Sequence, residues 1–254
     1  MMRYFLKLSY DGAPFHGWQS QPNAVSVQQT IEEALSTVLR APISIVGAGR
    51  TDTGVNARMM YAHFDLPDGR EAIADPGRFL LSLNRLCGPA ISLQALIPVA
   101  DDAHTRFDAT QRTYKYFVAY EKCPFLSSFS WHSPSRLNVE EMNKAARILL
   151  NTDDFTSFAK LHSDARTNIC KVTEAYWSPW ENEYHVPGIV FTISADRFLR
   201  NMVRAVVGTL VDVGRGKVSV EDVERIISQK NRCAAGTSMP PQALFLWNIV
   251  YPYI

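Results

Sequence analysis

Apolar residues recur along the chain with two spacings, and the switches between them mark out the elements. Residues 4–10 alternate, with Tyr4, Leu6 and Leu8 on one side and Phe5 on the other, which predicts a strand. A loop follows at residues 13–24, carrying Phe15, His16, Trp18, Gln19 and Pro22. Ser26-x-x-Gln29 reads as a capping box, and Val27, Ile31, Leu35 and Leu39 continue at helical spacing to about Arg40. Residues 43–46 and 59–66 read as strands, with a glycine-rich loop between them. Asp75-Pro76 opens a second helix with Phe79, Leu80, Leu83 and Leu86 on its apolar face, and residues 91–99 form a third long strand.

A polar stretch at residues 100–111 reads as a crossover, after which the pattern recurs. Residues 113–120 are an aromatic-rich strand, and residues 122–135 a loop. Asn138 caps a helix with Met142, Ala146, Ile148 and Leu149, and residues 155–167 are irregular. Strands are predicted at residues 170–177, 188–195 and 244–251, and helices at 197–214 and 220–229. The expected fold is therefore α+β, with two similar halves at residues 1–105 and 106–254. Their antiparallel sheets would pack side by side with helices on one face, leaving a cleft between them for an active site. The duplication rests on element order, because no residue-level repeat is visible.

Composition narrows the class. The 254 residues are 46% hydrophobic and 20% charged, as in core-forming proteins, and carry a net charge of +1. No apolar run reaches the roughly 20 residues of a membrane span, and the N-terminus reads as a strand rather than a leader. Cys87, Cys123, Cys170 and Cys233 are far apart, without a C-x-x-C pair. Zinc and a disulfide framework are not expected, and buried free thiols in a reducing cytosol are. The six histidines are scattered as well, so no metal and no cofactor are expected.

Chemistry concentrates in the loop Val46-Gly47-Ala48-Gly49-Arg50-Thr51-Asp52-Thr53-Gly54-Val55-Asn56-Ala57. Three glycines there mark a backbone that bends tightly or admits something close. One reading is a structural turn with Asp52 bonded to its own backbone. A second is a phosphate cradle, but G-x-G-x-x-x-x-G is not the dinucleotide fingerprint and no Gly-Lys-Ser/Thr follows. A third is a nucleophilic aspartate held by a partner.

The second concentration is residues 197–212. Read as one helix, Arg197, Arg200, Arg204, Gly208 and Asp212 form a stripe among Phe, Leu, Met and Val. Like charges at these spacings repel by roughly 0.2–0.5 kcal/mol per pair. A covered arginine needs an anion, either a carboxylate such as Asp52 or a phosphate. Tyr114 and Tyr116 share one face of their strand, where sheet packing is the plain reading.

The nine residues from Gly49 to Ala57 resemble the G-R-T-D-x-G-V-H-A signature of the tRNA pseudouridine synthase A family, with Asn56 where the family usually has His. Phe198, Leu199, Met202, Val203 and Arg204 resemble its F-L-x-x-M-V-R motif, and residues 112–116 its R-x-Y-x-Y element. Ser163-Asp164-Ala165-Arg166-Thr167 is similar to its R-T segment, and Phe155-Thr156-Ser157-Phe158 to its D-F-x-x-F stretch. Residues 240–246 resemble P-A-x-G-L-x-L, with Ala243 in place of glycine. Resemblance thus runs in order from about Tyr4 to Tyr251.

It implies an isomerase that converts uridine to pseudouridine at positions 38, 39 and 40 of the tRNA anticodon arm, with Asp52 as nucleophile. Arg204 would pair with Asp52, and Tyr114 would stack on the target uracil and serve in proton transfer. Arg50 would fill the gap left by the flipped base, and Arg166 would be a further active-site arginine; Arg200, from the stripe itself, is a candidate substrate-binding residue. The implied partner is tRNA, the implied assembly a homodimer and the implied compartment the cytoplasm, with no membrane involved. Two other classes remain: a tRNA-binding module without turnover, and a glycosidase-like hydrolase. The last usually wants two carboxylates flanking the bond, and Asp52 has no acidic neighbour in its segment before Asp65.

Overall fold

The computed structural model describes residues 2–67, 69, 72–160 and 166–254. The chain forms two units, Met1–Thr110 with Leu246–Ile254, and Gln111–Phe245. Both are antiparallel sheets carrying helices, so the α+β class expected from the sequence is what the structure shows.

In the first unit β1 (Arg3–Tyr10) pairs antiparallel with β3 (Asn56–Asp65) and with β4 (Ile91–Val99). Its alternation fixes the register. Tyr4 faces Phe64, Leu6 faces Ala62 and Leu8 faces Met60, all buried. A one-residue slip would exchange this apolar set for Lys7 and Arg3. Helix α1 (Val27–Leu39) is capped by Ser26, whose Oγ accepts the Gln29 N–H at 3.2 Å, and it ends where Arg40 turns left-handed. Asp75 caps α2 (Pro76–Cys87) in the same way.

The strand expected at residues 43–46 is largely absent, because β2 spans only Val46–Gly47. Ile43 and Ile45 are buried, so the apolar alternation is real. Their N–H groups, however, go to side chains of α1. The Ile43 N–H donates to Ser36 Oγ at 2.9 Å and the Ile45 N–H to Glu32 Oε1 at 2.9 Å. Period two here records burial against a helix rather than a sheet ladder.

In the second unit β5 (Gln111–Ala119) pairs antiparallel with β8 (Gly188–Ala195), and β8 with β7 (Val172–Pro179). The short β6 (Trp131–His132) runs parallel to the end of β5. Asn138 caps α3 (Val139–Ile148). The helix α4 covers Met202–Gly214, and Ser219 with Asp222 makes a full capping box on α5 (Val220–Ser228). The last strand, β9 (Leu244–Val250), neighbours β3, and Leu246–Ile254 belong to the first unit.

Cys87 and Cys170 are buried, which pushes their thiols up to about 11 and about 12. Cys123 is half-buried and Cys233 exposed, so burial accounts for only two of the four thiols expected inside. Among the described residues no helix is long and apolar enough to cross a membrane.

The first unit also buries an imidazole. His63 stacks on Phe5 with ring centroids 6.1 Å apart, and its Nδ1 accepts the Thr105 N–H at 3.3 Å. Burial lowers its pKa to about 4, and Arg3 and His104 push the same way against the opposing pull of Asp65 and Asp108. The folded chain therefore refuses a proton that the unfolded chain accepts near pH 6.5. Stability is full above that pH and falls as pH drops from about 6.5 to about 4. At ~1.4 kcal/mol per pKa unit, His63→Gln should remove about 2–3 kcal/mol of this acid-side loss. Urea unfolding of both proteins between pH 4 and pH 7.5 measures the difference. Parallel stability curves would contradict the assignment.

Candidate active site

The Asp52 loop hangs between β2 and β3 and is braced from the end of β1. Tyr10 is buried, and its hydroxyl lies 2.8 Å from Thr51 Oγ1. The Trp18 N–H donates to the Thr51 carbonyl at 3.2 Å. Asn56 is buried, and its Oδ1 accepts the Gly12 N–H at 2.7 Å. The Val55 N–H closes a tight turn on the Asp52 carbonyl at 3.1 Å. Asp52 itself is half-buried, so a side chain that reaches solvent sits on a backbone held on both sides.

The three loop glycines do different jobs. Gly54 has φ +75°, which a turn of this kind demands. A Cβ on Gly47 would lie 2.5 Å from the Trp18 ring, so that glycine admits the indole. Gly49 would meet nothing within 4 Å. Arg50 is exposed, and its Nε donates to Gln19 Oε1 at 3.2 Å.

In the second unit Tyr114 is half-buried, its ring edge-on to Phe198 at 5.0 Å. Tyr116 is fully buried and donates to the Pro240 carbonyl at 3.1 Å, the packing role expected of it. Burial raises the Tyr116 phenol far above its usual range, and the nearby Arg204 guanidinium offsets this only in part. Arg204 Nε donates to the Met239 carbonyl at 2.6 Å, and the Met239 N–H returns a bond to the Arg204 carbonyl at 3.1 Å. Tyr114, Phe198, Arg204 and Tyr116 thus belong to one neighbourhood of this unit.

The arginine stripe needs correction. Residues 197–201 precede the helix, which begins at Met202. The Asp196 carboxylate takes the N–H groups of Lys171 and Arg197 at 2.8 and 2.7 Å, an arrangement that competes with helix formation. Asn201 then adopts a left-handed conformation, φ 65°, with its side chain on Ser238 Oγ at 2.6 Å. Arg197 and Arg200 therefore share no helical face with Arg204. Arg200 is exposed, and its carbonyl accepts the Lys160 N–H at 3.0 Å. Arg166 is exposed too, whereas Ser163, Asp164 and Ala165 of its motif lie outside the described residues.

Sequence reasoning left the brace unassigned. Tyr10 and Gly12 read only as a strand end, and Gly17 and Trp18 as loop. The available signal was slight: a glycine just past the end of the strand, Gly12, and a second, Gly17, beside Trp18.

A half-exposed carboxylate thus sits on a loop whose backbone is tied at Thr51 and Asn56. A sequence profile described as tRNA pseudouridine synthase matches residues 145–252. A protein of Bacteroides thetaiotaomicron named tRNA pseudouridine synthase A is 52% identical over 252 residues, covering 99% of this chain and 91% of that one. Proteins of the same name from Bacteroides fragilis and Bacillus subtilis are 52% and 36% identical. The alignments cover 99% and 98% of this chain, and 97% and 99% of those two. The chain belongs to the tRNA pseudouridine synthase A family, a family of enzymes.

Gly17 tests the brace. Its φ is +89°, and a Cβ there would lie 2.5 Å from the Thr51 carbonyl oxygen. Gly17→Ala should destabilise the first unit by at least about 2 kcal/mol through left-handed strain and overpacking. A urea midpoint equal to that of the parent protein would show that the loop yields freely.

Proposed function

We propose that the chain isomerises uridine to pseudouridine in tRNA, with Asp52 as the nucleophile. The observation that carries this reading is a half-exposed carboxylate on a loop tied at Thr51 and Asn56, within the family's signature. Family membership and the names of the relatives support the substrate class. The reaction breaks the N1–C1′ bond, turns the uracil and joins C5 to C1′; the C5 hydrogen leaves as a proton and N1 takes one up. No electrons are exchanged with a cofactor. A carboxylate can serve by attacking C1′, by adding to C6 of the ring, or by assisting a glycal route.

Arg204 acts as the cation for Asp52, where a planar fork matches a carboxylate. Tyr114, half-buried and ring-packed on Phe198, supplies a face for the uracil and a hydroxyl for proton transfer. A uridine in a stem is unreachable until flipped out. Arg50, exposed and bonded through one nitrogen to Gln19, is free to swing into the vacated space. Arg166 and Arg200, both exposed, contact backbone phosphates of an RNA read by shape more than by base edges. The targets are positions 38, 39 and 40 of the anticodon arm, and the enzyme works as a cytoplasmic homodimer.

Asp52→Asn should abolish tritium release from tRNA labelled at uridine C5, with tRNA binding within about threefold of the parent. Release at the parent rate would reject the nucleophile, and appearance of free uracil would turn the reading into a hydrolase.

Arg204→Lys keeps a charge but loses the fork. It should cut kcat by about 10–100-fold and leave tRNA affinity nearly unchanged. A loss confined to KM would instead make Arg204 a substrate anchor.

A further inference from the structure

One bond in the brace sits at the position where this chain departs from its family's signature. Asn56 opens β3, four residues after Asp52, and is 1% exposed. Its Oδ1 accepts the Gly12 N–H at 2.7 Å in a buried setting. Gly12 and this stretch are in close backbone contact, because a Cβ on Gly12 would overlap the Val55 carbonyl oxygen and lie 2.6 Å from the Val55 carbonyl carbon. Val55 is the residue whose N–H closes the turn on the Asp52 carbonyl. The Asn56–Gly12 bond therefore presses the end of β1 against the same turn that sets the direction of Asp52.

We propose that Asn56 is a positioning residue for Asp52, and that what position 56 must supply is a hydrogen-bond acceptor for Gly12. The proposal rests on the reading of Asp52 as nucleophile. An amide oxygen accepts at every pH. A histidine carries Nδ1 the same number of bonds from the backbone as Oδ1, and it accepts there only while that nitrogen is unprotonated. Exchange of His for Asn at this position thus keeps the bond and removes its titration. The site then needs no proton from residue 56. Ionisable groups close by are Tyr10, whose hydroxyl meets Thr51 Oγ1, and Asp11, whose carboxylate accepts the Ala13 N–H. Asp52 lies in the same loop, and Arg58 on the same strand holds its guanidinium over the Trp247 ring.

The test compares the full-length parent with Asn56→Ala, Asn56→His and Asp52→Asn, using tritium release from tRNA labelled at uridine C5 between pH 5.5 and pH 8.5. Asn56→Ala should lower kcat by about tenfold or more with KM within about threefold, the mark of a lost transition-state geometry. Asn56→His should recover most of kcat at the alkaline end. Its activity relative to the parent should then fall as pH drops through the imidazole range near about 6.5.

The proposal is overturned if Asn56→Ala keeps kcat within about twofold of the parent. It is equally overturned if Asn56→His is folded but inactive throughout, or holds a constant ratio to the parent across the range. Should Asn56→Ala fail to fold, the pH ratio of Asn56→His decides alone. Asp52→Asn separates the two ideas. Normal turnover there removes the nucleophile reading and the positioning role with it. A dead Asp52→Asn beside a fully active Asn56→Ala removes the positioning role only.

Discussion

The register of β1 against β3 is the constraint on which the presentation of Asp52 depends. Tyr10 pairs with Ala57, after an irregularity between Leu8 and Tyr10, and this brings the end of β1 level with the end of the loop. Only at that register do the Tyr10 hydroxyl reach Thr51 and the Gly12 N–H reach Asn56. What fixes the register lies further along the strands, in the buried pairs Leu6 with Ala62 and Leu8 with Met60. The hydrophobic core of the first unit therefore sets the backbone that carries Asp52. Buried polar bonds of this kind add little net stability, but they cost about 1–3 kcal/mol when one partner is lost, which is how they enforce a single geometry.

The second unit solves the same problem with a different device. Residues 239 and 240 offer their carbonyls to Arg204 and Tyr116, one on a helix and the other on a strand. A single extended segment thus holds a guanidinium and a buried phenol in fixed relation. The Met239 N–H completes the tie by returning to the Arg204 carbonyl. The Nε bond holds the Arg204 side chain, and the Met239 N–H bond holds the backbone that carries it.

Most of this fold was legible from spacing alone. Ser26, Asp75 and Asn138 announce their helices by capping chemistry, and the structure uses each side chain as a cap. Residues 91–99 and 188–195 show strand patterns whose limits match β4 and β8. The misreadings share a cause. At residues 43–45 a strand period arose from burial against α1, with the N–H groups diverted to Ser36 and Glu32. At residues 197–201 an apolar helical period continued through a segment whose backbone was claimed by Asp196 and bent at Asn201. Periodicity reports which side chains are buried. It does not report where the backbone hydrogen bonds go, and in both places a polar side chain had taken them.

The candidate site was legible in proportion to how local it is. Asp52 and Arg50 stand in one contiguous signature and could be singled out from it. Their support could not, because Tyr10 at the end of β1 and Gly12, Gly17 and Trp18 in the loop after it lie far upstream, in a stretch that carries no chemistry of its own. Asn56 shows what such a signature encodes. A motif letter stands for a bond as well as a side chain, and a residue that departs from the letter can preserve the bond. Here an amide oxygen meets a buried N–H that a neutral imidazole nitrogen could meet equally well. The physical content of position 56 is an acceptor at a fixed place, and the two residue types are two ways of supplying it.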